Sequence, residues 1–231
     1  MHLFHCPSLQ QDRFDLPEEE AHHALHVLRL AVGQVIGLLD GKGGFAEAGI
    51  TGITKRNCAV QVHHREGSPP ERKARIHLAV APTKQIERFE WFLEKATELG
   101  VDRITPVKTS RTERTNLRMD RLERVLIGAM KQSQRRWLPH LDAMTGLQDL
   151  SSTAPSQRFF GWCEEEHEAF SGAYNPTLNT LVLIGPEGDF TPEEAAMLSA
   201  RGFRAVGLGR SRLRTETAAI AACTWMNFAQ H

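Results

Sequence analysis

The sequence predicts an α/β protein in two parts: a small β-rich N-terminal domain, then a larger domain in which strands and helices alternate. Three observations predict this. Of 231 residues, 41% are apolar and 24% charged, which supplies a packed core and excludes a disordered or fibrous chain. The run Gly67-Ser68-Pro69-Pro70-Glu71-Arg72-Lys73 interrupts regular structure with two prolines in a polar stretch. Across that break the hydrophobic period changes from short alternating runs to helical faces, so the expected domains are 1–70 and 74–231.

In the first domain a helical turn is expected over Glu18 to Leu28. Val35 to Leu39 reads as a strand running into Asp40-Gly41-Lys42-Gly43-Gly44, a hairpin turn signal, and Phe45 to Thr51 and Cys58 to His63 continue the strands. In the second, Arg75 to Ala81 alternates as a strand. Ile86, Phe89, Leu93, Ala96 and Leu99 then share one helical face that stops at Gly100. A strand at Ile104 to Val107, a helix near Leu122 to Met130, and strands at Phe159 to Trp162 and Leu181 to Ile184 follow. Thr191-Pro192-Glu193-Glu194 is a capping box with proline at the first helical position, and Gly202 closes that helix. A strand at Ala205 to Leu208 and a helix from Glu216 to Ala229 complete the alternation, which implies a parallel sheet covered by helices.

The longest run of Val, Leu and Ile is Leu181 to Ile184, and the first residues carry no signal peptide pattern. A cytoplasmic protein with no membrane span is therefore expected. The four cysteines, Cys6, Cys58, Cys163 and Cys223, form no C-x-x-C pair and read as small buried side chains in a reducing compartment. His22 and His26 are four apart but lack a third ligand, so no metal is expected. Phe89, Trp91 and Phe92 read as core packing.

The 28 basic and 28 acidic side chains cancel, but not evenly. Residues 103–136 hold ten basic and three acidic residues, a net of +7 offset by the rest of the chain. An excess of that size attracts phosphates if it lies on one surface.

Two glycine-bearing loops follow buried strands near the C-terminus, Ile184-Gly185-Pro186-Glu187-Gly188-Asp189-Phe190 and Leu208-Gly209-Arg210-Ser211-Arg212-Leu213-Arg214-Thr215-Glu216-Thr217-Ala218. Ligands of open α/β sheets bind outside the carboxyl ends of strands, where both loops fall. Neither loop is a G-x-G-x-x-G or Walker A sequence, which disfavours dinucleotides and nucleoside triphosphates.

Together with Lys95-Ala96-Thr97-Glu98-Leu99-Gly100-Val101, these loops resemble, in order and spacing, the 16S ribosomal RNA uracil-N3 methyltransferases of the SPOUT superfamily. His22 to Arg29 and the glycine-rich hairpin resemble that family's PUA-like β-barrel. The resemblance implies a trefoil-knotted C-terminal domain binding S-adenosylmethionine (SAM), a homodimer, and 16S rRNA in the assembled small subunit as partner. It places the cofactor on Leu183, Ile184, Gly185, Pro186, Glu187, Gly188, Leu208, Gly209, Leu213, Arg214, Thr215, Glu216, Thr217 and Ala218. Uracil N3 must lose its proton before it attacks a methyl group, so the site needs a proton acceptor and cations near the flanking oxygens. Arg111, Arg214 and Glu216 are the catalytic candidates. Arg29, Arg114, Arg118, Arg121, Lys131 and Arg135 are the expected RNA contacts. Three positions depart from the family's pattern: Lys131, where Glu is common, Asp189 for glycine, and Arg212 for an aliphatic residue. The alternative function is an RNA-binding or ribosome-assembly protein that has lost catalysis on the same scaffold.

Overall fold

The computed structural model describes residues 1–150, 156–164 and 166–231. They divide into two compact units, one of Met1–Glu71 with Ile127–Leu138, the other of Arg72–Leu126 with Pro139–His231.

In the first unit, β1 (Leu3–His5), β2 (Arg13–Asp15) and α1 (Glu18–His22), which runs on into a π-helical turn at His23–Val27, precede the hairpin strands β3 (Val35–Leu39), β4 (Gly44–Ile53) and β5 (Cys58–Gly67). Their sheet has the order β1-β3-β4-β5-β2. This hydrogen-bonded path is open, not the closed barrel expected: β1 and β2 lie at opposite edges, and each is three residues long. The hairpin turns as its residues dictate, with Gly41 and Gly43 at φ 72° and 96° and Asp40 Oδ1 accepting from Lys42 N–H at 2.7 Å and Gly44 N–H at 2.8 Å. The core gathers Phe4, Ile36, Leu38, Ile50 and Val60 under Ala21 and Ala24 of the helical segment.

Residues Ile127–Leu138 cluster with this unit although they follow the prolines by more than fifty positions, a placement that division at a single chain break does not foresee. Specific contacts hold them. Gly43 N–H donates to Arg136 O, Leu138 N–H to Gly41 O, and Lys131 Nζ lies 2.7 and 2.9 Å from the two carboxylate oxygens of Glu20.

The second unit contains β6 (Ile76–Val80), α2 (Ile86–Glu98), β7 (Arg103–Lys108), the first half of α3 (Met119–Gln132), β8 (His140–Leu141), β9 (Thr145–Gly146), β10 (Gln157–Gly161), α4 (Phe170–Ala173), β11 (Thr180–Ile184), α5 (Pro192–Ala200), β12 (Arg204–Val206) and α6 (Thr215–Phe228). All its strand pairs are parallel, in the order β12-β10-β11-β6-β7-β8, with β9 also on β7. The central strand β11 is buried at every position, which explains why it reads as a continuous apolar run. The capping box of α5 forms as expected: Glu194 N–H donates to Thr191 Oγ1 at 3.2 Å and Thr191 N–H to Glu194 Oε2 at 3.0 Å. Phe89 and Phe92 are fully buried, whereas Trp91 is 44% exposed, so the packing role expected of it is corrected. It sits between the two phenylalanines in sequence and is turned outward by the helical period. Among the described residues no helix is long and apolar enough to cross a membrane.

Candidate active site

The loops after β11 and β12 line one cavity of about 970 Å³, together with residues that follow β10. Chain direction explains the convergence, since parallel strands deliver all their carboxyl ends to one edge of the sheet. Of the expected cofactor residues, Ile184 to Gly188, Leu208, Gly209, Leu213, Arg214, Thr215 and Ala218 line it; Leu183, Glu216 and Thr217 do not. Leu183 is fully buried within β11 and packs in the core, whereas its neighbour Ile184 lines the cavity.

The β11 loop is tightly made. Gly188 and Asp189 both take left-handed backbone, φ 96° and 65°. Glycine adopts this without penalty, and aspartate is among the few residues that tolerate it. Asp189 also bonds locally, accepting from Phe190 N–H at 2.8 Å and, across to the loop after β10, from Cys163 N–H at 2.9 Å. A side chain at Gly185 would meet the Phe190 ring at 3.1 Å. The departure at Asp189 therefore joins two of the cavity's walls, which glycine could not do.

Arg212, the other departure in this domain, is exposed and lies beside the Cys163 thiol, which sits between it and Asp189. Burial, then the Asp189 carboxylate, raise the Cys163 pKa above its ordinary value. Cys6, Cys58 and Cys223 are buried as expected, but Cys163 is exposed, because it stands in a loop after the strand has ended.

Thr215 and Glu216 open α6. Thr215 Oγ1 donates to Gly185 O at 3.0 Å, tying the two loops. Glu216 is 7% exposed in the first helical turn, where the helix dipole favours a carboxylate. Its Oε1 is 3.8 Å from Arg88 Nη1, and the same nitrogen is 3.7 Å from Glu187 Oε1. Its other oxygen, Oε2, is buried with no hydrogen-bond partner among the described residues. Arg88 thus bridges the carboxylates of both motifs without hydrogen-bonding either. No signal in the sequence marked it: it occupies α2 beside the core residue Phe89, as any solvated helix arginine does.

Arg214 is exposed and lines the cavity, whereas Arg111 is placed differently from the free cation expected. Its Nη1 donates to Gly188 O and to Phe190 O, so it braces the β11 loop. The sequence also missed Trp162 and His167, which line the cavity and stack on each other with ring centroids 5.3 Å apart.

The expected RNA contacts divide sharply. Arg118 and Arg124 share Asp120 at 3.0 and 2.9 Å, and Arg121 grips Glu90 at 2.5 Å. Arg135 pairs with Glu71 at 2.8 Å, and Lys131 is sequestered by Glu20, the two side chains being 18% and 10% exposed. Lys131 is therefore corrected from a phosphate contact to half of an internal pair. Arg114 instead donates to Lys84 O at 2.8 and 3.1 Å, and Arg29 is exposed at φ 55°.

A second cavity of about 560 Å³ lies at the amino ends of β6, β7 and β11. There His77 Nε2 is 2.7 Å from Thr105 Oγ1, which bonds Asp142, and Arg103 holds the same carboxylate at 2.7 and 2.9 Å. Burial lowers the His77 pKa to about 4, assisted by the Arg103 charge.

Residues 70–227 match a family model described as an RNA methyltransferase domain, and residues 16–62 one described as an RNA methyltransferase PUA domain. A solved structure described as a "probable rRNA-methyltransferase" of Porphyromonas gingivalis is similar at 39% identity and a TM-score of 0.89, covering 100% of this chain and 98% of that one. Ribosomal RNA small subunit methyltransferase E of Neisseria gonorrhoeae, solved bound to S-adenosyl methionine, is similar at 29% identity and TM-score 0.89, covering 99% of this chain and 98% of that one. The protein of the same name from Synechocystis is 30% identical over 220 residues, 92% of this chain and 72% of its own length. With a match to the methyltransferase model over more than half its length, behind a PUA domain, the chain belongs to the RNA methyltransferase family.

Proposed function

We propose that this protein transfers a methyl group from SAM to N3 of a uridine in small-subunit rRNA. The observation that carries the reading is the single cavity in which the Gly185–Gly188 and Leu208–Ala218 loops meet beside the buried Glu216. Its chemistry fits the cofactor. Glu216 lies behind the lining residue Thr215 rather than in the cavity wall, and its unpartnered buried oxygen suits a ligand that carries positive charge and N–H donors and reaches past that wall. The glycine-bearing loops leave backbone groups open for an adenine.

SAM supplies an electrophilic methyl carbon whose bond to sulfur breaks toward sulfur as a new bond forms. The residues supply the rest. Glu216 is assigned to accept the N3 proton, leaving the N3 electron pair free to form the bond to carbon. Arg214, with no carboxylate partner among the described residues, is assigned to the uracil oxygen on which negative charge collects. Arg111 holds the β11 loop through two carbonyls and acts by position.

Residues 1–70 are proposed as an RNA-binding module and 74–231 as the catalytic domain, with the C-terminal segment threaded as a trefoil knot. The tie from Thr215 back to Gly185 O puts in contact the two loops that such a knot would interlock. A homodimer is proposed in addition, supported by Trp91 on α2 and Trp225 and Phe228 on α6, which are 44%, 46% and 71% exposed on two helices that pack together. Light scattering during gel filtration should return twice the 25.9 kDa chain mass; a monomer would refute that part.

The functional test uses small subunits lacking the modification and SAM labelled in its methyl group. Label should enter the rRNA and be recovered as 3-methyluridine. No incorporation, with subunit binding intact, would support instead the RNA-binding protein that has lost catalysis.

A further inference from the structure

The ten basic residues of 103–136 suggest a basic helix face laid against RNA. Their side chains do otherwise. Arg103, Arg118, Arg121, Arg124, Lys131, Arg135 and Arg136 each meet a carboxylate within 4 Å. Those carboxylates are mostly drawn from distant parts of the chain. Such pairs present little net potential to a phosphate, and releasing one means giving up the partner it already has.

The remaining three, Lys108, Arg111 and Arg114, have no carboxylate partner among the described residues, and all follow or end β7. On the loop after β12, Arg210, Arg212 and Arg214 are exposed and equally free of carboxylates among the described residues. One member of each group reaches the 185–189 loop, Arg210 lines the same cavity, and Lys84, whose carbonyl holds Arg114, is near enough to Glu187 of that loop for its ammonium to feel the carboxylate. Arg111 is bonded to Gly188 O, and Arg212 lies beside Cys163, whose N–H is held by Asp189. Arg114 is anchored on Lys84 O with its charge left unneutralised.

We propose that the RNA backbone is gripped at the rim of the cofactor cavity, by phosphates on Arg114, Arg210 and Arg212, and that the arginines of α3 serve as internal ion pairs outside the RNA footprint. This inference rests on the proposed function for its choice of partner. It places the grip next to the reacting centre, so the contacts that bind the chain also present its base. Arg212 stands where the family has an aliphatic residue, which makes this rim more basic than the family pattern provides.

The test compares two variants that each remove two positive charges, Arg114→Ala with Arg210→Ala, and Arg118→Ala with Arg124→Ala. Filter binding to small subunits lacking the modification is measured across a salt series. For the first variant affinity should fall about tenfold, and the slope of log affinity against log salt should become shallower by about 1.5, as expected for two lost phosphate contacts. The second variant should stay within about twofold of wild type. Arg114→Lys with Arg210→Lys should restore the slope, because a phosphate contact needs the charge, whereas a loop that had merely lost its shape would not be rescued. Equal losses in the two alanine variants, or none in the first, would overturn the inference while leaving methyl transfer by the wild type untouched. Failure of the wild type to bind subunits would overturn the functional reading and this inference with it.

Discussion

The two cavities lie at opposite ends of the parallel sheet, share the central strand β11, and treat their carboxylates differently. At the amino edge the two carboxylates nearest His77 are both matched: Asp142 receives Arg103 twice and Thr105 once, and Asp102 receives Arg72 and the Ile76 N–H. At the carboxyl edge Glu216 keeps an unpartnered oxygen, Arg88 hovers between two carboxylates beyond hydrogen-bond range, and Arg210 and Arg214 face the cavity with no carboxylate. Matched charges stabilise a fold, and unmatched ones are held in readiness for a ligand at some cost to the free protein. The two edges differ in whether their buried carboxylates are satisfied, Asp142 and Asp102 on one side and Glu216 on the other.

The comparison can be broken most decisively at Glu216. Glu216→Gln keeps the shape and removes the charge; on the proposed role it should slow methyl transfer about 1,000-fold. Thermal melting of the apoprotein should show no loss, since an unpartnered buried carboxylate oxygen contributes little to stability. A melting temperature that falls steeply would move Glu216 to the structural side.

The second test is acidification at the other edge. His77 is held neutral, with its folded pKa near 4 against an ordinary 6.5, chiefly by burial. Because the folded value is the lower, the unfolded chain binds more protons between these limits. Stability is then fully present above pH 6.5 and lost as pH falls toward 4, by up to about 3 kcal/mol. Denaturant melts from pH 7 to pH 4 should show this slope in the wild type and not in His77→Gln. S-adenosylhomocysteine affinity at pH 7 should be the same in both proteins.

A smaller effect is expected from Arg103→Met, which strips Asp142 of its bidentate partner. Arg103 is half exposed and Asp142 is 14% exposed, so a loss of about 1–2 kcal/mol is expected, read as a lower urea midpoint with cofactor affinity unchanged. The least is expected of Arg118→Ala. Its pair with Asp120 lies in solvent, and Asp120 retains Arg124, so the urea midpoint should not move measurably.

Much of this was legible in the sequence where the cause is local. The capping box of α5 was readable because Thr191 and Glu194 bond within one turn. The strand at β11 was readable because burial on both faces imposes an apolar run, and the two loops because glycines and motif spacing mark them. Small elements were not: β1, β2, β8 and β9 have only two or three residues each, too few for a period to emerge. Trp162 and His167 carried no signal either, since a loop residue is brought to a cavity by the strand before it and by nothing in its own neighbourhood.

By itself the sequence determined the alternation of strands and helices, the two glycine-bearing loops and the family, because propensity, hydrophobic period and motif spacing act between residues close along the chain. Only the tertiary structure decided which charges remain free. Arg121 finds Glu90 across 31 positions and Lys131 finds Glu20 across 111, so the basic stretch of 103–136 is largely neutralised by residues that no local reading pairs with it. Electrostatic attraction depends on distance through space, and distance through space is what folding sets.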